Sequence, residues 1–270
     1  MKALKFLFLA LLIIIVAIAS FLSWGIWRTG CDIAALEDQV RERASAPRVT
    51  PDQMAALPDG TDGLPAFVRI KAAGDFRRLL TENFQPTSAE QIISTRSPDF
   101  VFHATTPIPG PIWAAAYDGY VAGRMEMRAK LVSAITLLHF TNDAQLDRLS
   151  LRRWLLEASS WPPALLPDGP VIWQAIDDST ARALVSDHGI TENMIARFDA
   201  SGALIEMSAE EDGDLTTPYH GPGEHVESDD YRLREGVRHP TELTISRAAA
   251  GKHHPFWRAK VTEIEFGPRE

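Results

Sequence analysis

Phe6 to Trp27, FLFLALLIIIVAIASFLSWGIW, is a run of 22 residues without a charge, and it constrains everything that follows it. As a helix rising 1.5 Å per residue it is about 33 Å long, enough to cross a hydrocarbon core of about 30 Å. Lys2 and Lys5 precede the run, and Trp24 and Trp27 close it, where indole rings favour the boundary between membrane and water. A cleaved signal peptide would use Ala17 and Ala19, but the apolar run continues past them. A lipoprotein signal would use Cys31, the sole cysteine, but Arg28 stands three residues before it, where an aliphatic side chain is needed. Residues 1–28 are therefore read as an uncleaved transmembrane anchor. Positive charge ahead of the span predicts a single-pass protein with its N-terminus in the cytoplasm and its domain on the other side.

The rest of the chain is acidic. Lys2, Lys5 and Arg28 are the only charges in residues 1–28, so a net charge of −9 leaves −12 on the remainder. Such a surface repels phosphate backbones, which argues against nucleic acid as a partner. One cysteine rules out an intrachain disulfide framework and a thiolate zinc site. After the span, CDIAALEDQVRERASA reads as a short helix that Asp32 can cap, with Ile33, Leu36 and Val40 at helical spacing. Pro47 to Pro65, rich in Pro, Gly and Asp, reads as a linker that lets the domain stand off the bilayer. The expected organisation is an anchor at 1–28, a short helix and linker at 29–65, and a sheet domain at 66–268.

Within that domain the dominant period is two. In GRMEMRAKL, Met125, Met127, Ala129 and Leu131 face one way and Arg124, Glu126, Arg128 and Lys130 the other, a strand with one wet face. SGALIEMSAE sets Ala203, Ile205 and Met207 against Leu204, Glu206 and Ser208. PFWRAKVTEIEF alternates through Val261, then slips parity to Ile264 and Phe266, which suggests a bulge. YRLREGVRHPTELTIS is two strands around Glu235–Gly236. One segment breaks the pattern. NDAQLDRLSLRRWLLEASS, capped at Asn142 or Asp143, carries Leu151, Trp154, Leu155 and Ala158 on one helical stripe and stops at Pro162–Pro163. The fold class is α+β, mainly β: a curved antiparallel sheet, a half-barrel, with this helix against its concave side.

The chemistry-bearing clusters are sparse. Asp177 and Asp178 lie in DDST between two strands, where turn-building suits them better than acid–base work. His220, Glu224, His225, Asp229 and Asp230 share a stretch, but its Gly-Pro-Gly offers no helical face to align ligands, so no metal is expected. No phosphate loop, nucleophile elbow or H-E-x-x-H occurs, and no cofactor is implied. Arg152, Arg153 and Glu157 read as solvated charges on the outer face of the helix; the competing reading has them gate an apolar cavity. Trp113, Trp154, Trp161, Trp173 and Trp257, with Met125 and Met127, read as core or as the lining of such a cavity.

Several pieces together resemble a bacterial family of conserved proteins with no assigned function: DFVFHA (Asp99 to Ala104), YDGYVAGRMEM (Tyr117 to Met127), LRRWLLEASSWPPALLP (Leu151 to Pro167), WQAIDDSTA (Trp173 to Ala181), FDASG (Phe198 to Gly202) and YRLREGVRHPTEL (Tyr231 to Leu243). The chain departs from that family's pattern in EEDGDLTTPYH, acidic where members are rich in Arg. The order of strands and helix is also similar, at the level of fold, to periplasmic lipoprotein carriers of the LolA/LolB type. Taken with the anchor, that resemblance fits an inner-membrane protein with an extracytoplasmic, non-catalytic domain for a lipid or other apolar ligand. Its expected lining is Trp113, Met125, Met127, Trp154, Trp161, Trp173 and Trp257, with Arg153, Glu157 and Asp177 as a polar site. Two other readings stand beside it: a hydrolase using Glu157, Asp177 and Asp178, and a scaffold in an envelope complex.

Overall fold

The computed structural model describes residues 2–45, 65–108, 110–166, 169–217 and 221–268. The segment expected as a linker lies outside them apart from Pro65, and so does His220. Helix α1 (Lys2–Ala44) leads into β1 (Phe67–Phe76), β2 (Gln85–Ser94), β3 (Phe100–Ile108), β4 (Ile112–Val121), β5 (Arg124–Leu131) and β6 (Ile135–Thr141). Helix α2 (Ala144–Leu156) and two short 3-10 turns follow. The chain ends with β7 (Val171–Ala175), β8 (Thr180–Asp187), β9 (Ile190–Phe198), β10 (Leu204–Ser208), β11 (Glu224–Arg234), β12 (Val237–Ala249) and β13 (Lys252–Phe266).

All 13 strands form one antiparallel sheet. Two meanders, β1–β6 and β7–β13, are joined where β1 pairs with β13, which leaves β6 and β7 as the edges. Because α2 connects one edge to the other, it has to cross the sheet. It touches β4 and β5 on one side and β8, β9 and β11 on the other. In a flat sheet β5 and β9 would lie about 43 Å apart at 4.8 Å per strand. The sheet therefore curls around the helix. At one end it closes: the Tyr120 hydroxyl of β4 donates to Asp187 of β8 at 3.0 Å, and the β4–β5 turn at Gly123 abuts His188 after β8.

Local chemistry explains the elements. Asp143 caps α2 by accepting from the amides of Gln145 and Leu146, and Leu151, Trp154 and Leu155 form its fully buried stripe. Glu235 and Gly236 join β11 to β12 with φ of 50° and 79°, the left-handed pair that a tight hairpin requires. The parity slip near the C-terminus is a bulge, with Val261 opposite Ala72 but Glu263 opposite Lys71. β10 differs from its expected alternation. A register shift falls between Leu204 and Glu206, so Leu204 and Met207 are buried and Ile205 is not.

The short helix expected after the apolar span is the second half of α1 itself. Gly30 is exposed with open space around it, so at about 1 kcal/mol relative to alanine it weakens the helix without breaking it. The helix ends at Ala44, shortly before Pro47. Its first half is exposed, and it is long and apolar enough to cross a membrane. Its second half lies on the convex face of β2, β3 and β4. Val40 packs with Ile92, Val101 and Val121, and Leu36 sits over Gly119. Ions tie the helix down: Arg69 donates to Glu37 at 2.6 Å and Arg43 to Asp99 at 2.9 Å. Thr29 donates to the Ser133 carbonyl at 2.6 Å and accepts from Lys130 at 2.8 Å. Gly25 rests against Ala134 so closely that a Cβ there would lie 2.3 Å from the alanine's own.

Candidate functional site

The concave face has two parts. Near the closed end, α2 and the turns after it fill the space. Phe100, Tyr120, Met125 and Met127 project from the sheet; Leu151, Trp154, Leu155 and Trp161 meet them, all nearly fully buried. Trp154 and Trp161 lie 6.2 Å apart, tilted at 46°. Toward the other end the cover over the sheet thins. On β4 the inward residues run from buried Tyr120 and Asp118, through half-buried Ala116 and Ala114, to exposed Ile112. The pairing puts Ala72, Ala89, Ala104, Ala116 and Ala129 side by side on β1 to β5, with Leu138 of β6 completing the row. The next row outward holds Thr87, Thr106, Ala114 and Leu131. Small side chains over that width leave a shallow apolar trough, open at the end of the half-barrel opposite its closure.

The head of the trough is polar. Arg153 turns inward from α2, not outward. Its guanidinium donates to Asp118 at 2.7 Å and to Glu157 at 2.9 Å, and lies over the rings of Phe102 and Phe100 at 4.5 and 5.3 Å. Burial works against its charge, but Glu157 and Asp118 outweigh that and hold it protonated, above the ordinary arginine range. Arg152 is buried too, among Glu192, Glu211 and Glu224. The reading of these arginines as solvated outer charges is overturned, because the curled sheet encloses the helix on more than one side. Below Glu157, a cavity of about 30 Å³ is lined by Ile70, Ala72, Ala89, Phe102, Trp161 and Trp257, with Gln91 and Ser160. The Ser160 hydroxyl and the Trp161 indole N–H are buried and find no hydrogen-bond partner among the described residues. Two unsatisfied donors beside an apolar wall suit an acceptor oxygen on an otherwise apolar molecule.

The structure divides the residues singled out from sequence. Met125, Met127, Trp154, Trp161 and Trp257 share one core with the Arg153–Glu157 pair beside it. Trp173 packs at the far margin of that core against Phe198, its indole donating to the Leu165 carbonyl at 3.0 Å. Trp113 is on the other face of β4, donating to Ser133 near α1. Asp177 is exposed at the β7–β8 turn and accepts from the Ser179 amide at 2.8 Å, which holds its carboxyl below the usual carboxylate range. It does not join Glu157, so the three carboxylates of the hydrolase reading do not converge. Glu224 faces Arg152, and Asp229 and Asp230 are exposed on β11. His225 instead meets His253, ring centroids 3.5 Å apart and 31° from parallel, with Glu227 nearby. One ligand atom from each of the three lies within 4.8 Å of the others. Sequence reasoning missed Asp118, and it missed the alanine row. Each alanine was in plain view within an alternating strand, but only the register between strands makes them a floor.

Residues 54–266 match a family of unknown function, DUF6920. The chain belongs to that family. No curated protein matches the sequence. Among solved structures, the fold is similar to a putative outer membrane lipoprotein-sorting protein domain from Vibrio parahaemolyticus, at 7% identity and a TM-score of 0.43, covering 77% of this chain and 87% of that one. It is similar to a LolA superfamily protein from Nitrosomonas europaea at 8% identity and a TM-score of 0.41, covering 74% and 86%. A DUF1329 family protein from Desulfovibrio piger follows at 12% identity and 0.33, covering 87% and 92%. These are likenesses of architecture.

Proposed function

We propose that this DUF6920 protein is a single-pass membrane protein whose extracytoplasmic half-barrel binds an amphiphilic, lipid-like ligand without catalysis. The observation that carries the reading is the alanine-floored trough. It is apolar and partly exposed from Ala104 through Ala116 and Ala129 to Leu138, and the more deeply set Ala89 and Ala72 lead from it to the cavity, where two donors find no partner among the described residues. An acyl chain lies along Ala89, Ala104, Ala116 and Ala129. Its carbonyl oxygen accepts hydrogen bonds from the Ser160 hydroxyl and the Trp161 indole N–H, and Arg153 and Glu157 stand behind them. The cavity between sheet and helix has room for about one water, so the bulk of the ligand occupies the trough and not the space under α2. Trp154, Met125 and Met127 shape the closed end and support the lining without touching the chain.

The test is lipid extraction and native mass spectrometry of the full chain purified in mild detergent. The expected result is a stoichiometric lipid that is lost in Ala116→Phe and weakened by Ser160→Ala. Retention of the same lipid by Ala116→Phe would sink the trough. Orientation has its own test, because Cys31 is the sole cysteine and is exposed. A membrane-impermeant maleimide should label it in intact spheroplasts. Labelling only after lysis would put the domain in the cytoplasm.

A further inference from the structure

The anchor and the sheet are parts of one rigid construction, and that fixes the height of the sheet above a bilayer. Gly25 belongs to the charge-free run and packs against Ala134 in the β5–β6 turn. Thr29, one helical turn on, is bonded to Ser133 and Lys130. The first charge after the run is Arg28. If the run crosses the membrane, as the proposed function holds, the β5–β6 turn sits at the level where hydrocarbon gives way to headgroups. A flexible tether would leave that level free, but a continuous helix docked by close contact does not.

What the sheet presents there is apolar. Ile135, Leu137, Leu138 and Phe140 of the edge strand β6 are 43–58% exposed, and Ile112 at the neighbouring β3–β4 tip is 38% exposed. The Val132 amide bonds the Trp113 carbonyl, so that tip and the β5–β6 turn form one rim. An unpaired apolar edge of this kind is a liability in water. Among the described residues no free basic cluster accompanies it: Arg128 is paired with Asp32 and Glu126, and Lys130 with Asp32. From this we infer that the rim formed by the β3–β4 tip, the β5–β6 turn and β6 is inserted in the headgroup layer of the membrane that α1 spans, held by apolar burial and not by anionic lipid. The mouth of the trough then opens onto the bilayer surface, and a lipid reaches Leu131 and Leu138 without passing through water.

Spin labels on single cysteines test this in the full chain with Cys31→Ser, reconstituted in phosphatidylcholine vesicles. Labels go at Ile13, Ile135, Leu138, Ile112 and, as an aqueous control, Leu233, which is 74% exposed at the β11–β12 hairpin. The readout is accessibility to oxygen against a water-soluble nickel chelate. The expected result is lipid-like accessibility at Ile13, interfacial values at Ile135, Leu138 and Ile112, and aqueous values at Leu233. Ile135 and Leu138 matching Leu233 while Ile13 stays lipid-like would overturn the inserted rim and leave the anchor standing. An aqueous Ile13 would overturn both. Spin–spin broadening at Leu138 in place of an interfacial value would show β6 pairing with a second copy, and would also overturn it.

Discussion

The two ends of the concave face are built from the same strands and differ in what those strands place inward. At the closed end β3, β4 and β5 offer Phe100, Tyr120 and Met125, and α2 returns Trp154 and Leu155. At the open end the same strands offer Ala104, Ala116 and Ala129, which are only half-buried. On the proposed reading, a half-barrel need not be hollow under its helix to bind an apolar molecule. It can spend its large side chains on stability at one end and withhold them at the other. The contrast predicts that mutations at the closed end act on folding, and mutations at the open end act on binding.

The largest effect should come from Trp154→Ala. The side chain is fully buried against Trp161 and the sheet, and removing it from a packed core costs about 3–5 kcal/mol. Thermal or denaturant unfolding of the protein in detergent micelles measures this. A loss below about 1 kcal/mol would mean that the closed end is looser than its burial indicates. Asp118→Ala comes next. It leaves the Arg153 guanidinium with Glu157 as its remaining carboxylate in a site where Asp118 is 2% exposed. Breaking a buried pair costs about 3 kcal/mol, and a double cycle with Arg153→Met should recover part of the loss because the stranded charge leaves as well.

How much of this contrast was legible in the sequence follows from which forces are local. The span is a matter of composition, and α2 of a cap and a stripe. The strands announce themselves by a period of two, clearest in Met125, Met127, Ala129 and Leu131. Even the bulge near Val261 leaves a slip in that period. None of these needs knowledge of a partner strand. The trough does, because Ala104 and Ala116 are ordinary inward residues until pairing sets them side by side. The inward turn of Arg153 depends on Asp118, 35 residues away, and helical spacing to Glu157 alone pointed to a solvated pair. The docking of α1 rests on Gly25 meeting Ala134 and Arg43 meeting Asp99, contacts between segments that share no periodic signal.

Tyr120→Phe probes the closure itself. Its hydroxyl donates to Asp187 across the half-barrel, and a hydrogen bond to a charged acceptor contributes about 1.5 kcal/mol net. Burial, aided by Asp187, raises the Tyr120 pKa well above the usual tyrosine value, and burial also pushes Tyr117 and Tyr231 up to about 12. In the unfolded chain these groups ionise near pH 10. The unfolded state then binds fewer protons than the native one, so stability is intact below pH 10 and falls as pH rises above it. Unfolding midpoints at pH 8 and pH 11 should diverge in the wild type and diverge less in Tyr120→Phe. Equal divergence would mean that Tyr120 carries none of the alkaline loss.

The smallest expected effect on stability is the most telling for the contrast. Ala116→Phe adds a ring where the sheet is only half-covered, so it should change stability by less than about 1 kcal/mol. Ala158→Phe adds the same ring in the filled end, where the alanine is fully buried beside Trp154 and Trp161. Overpacking there costs about 1–3 kcal/mol or more. Unfolding of the two variants side by side makes the measurement, with lipid content read on the same samples. The expected pattern is a stable Ala116→Phe without lipid and a destabilised Ala158→Phe whose folded fraction still carries it. Equal destabilisation would mean that the alanine floor is packed core like the rest, because only a surface with nothing pressed against it accepts an added phenyl ring at no cost, and the distinction between the two ends would then vanish.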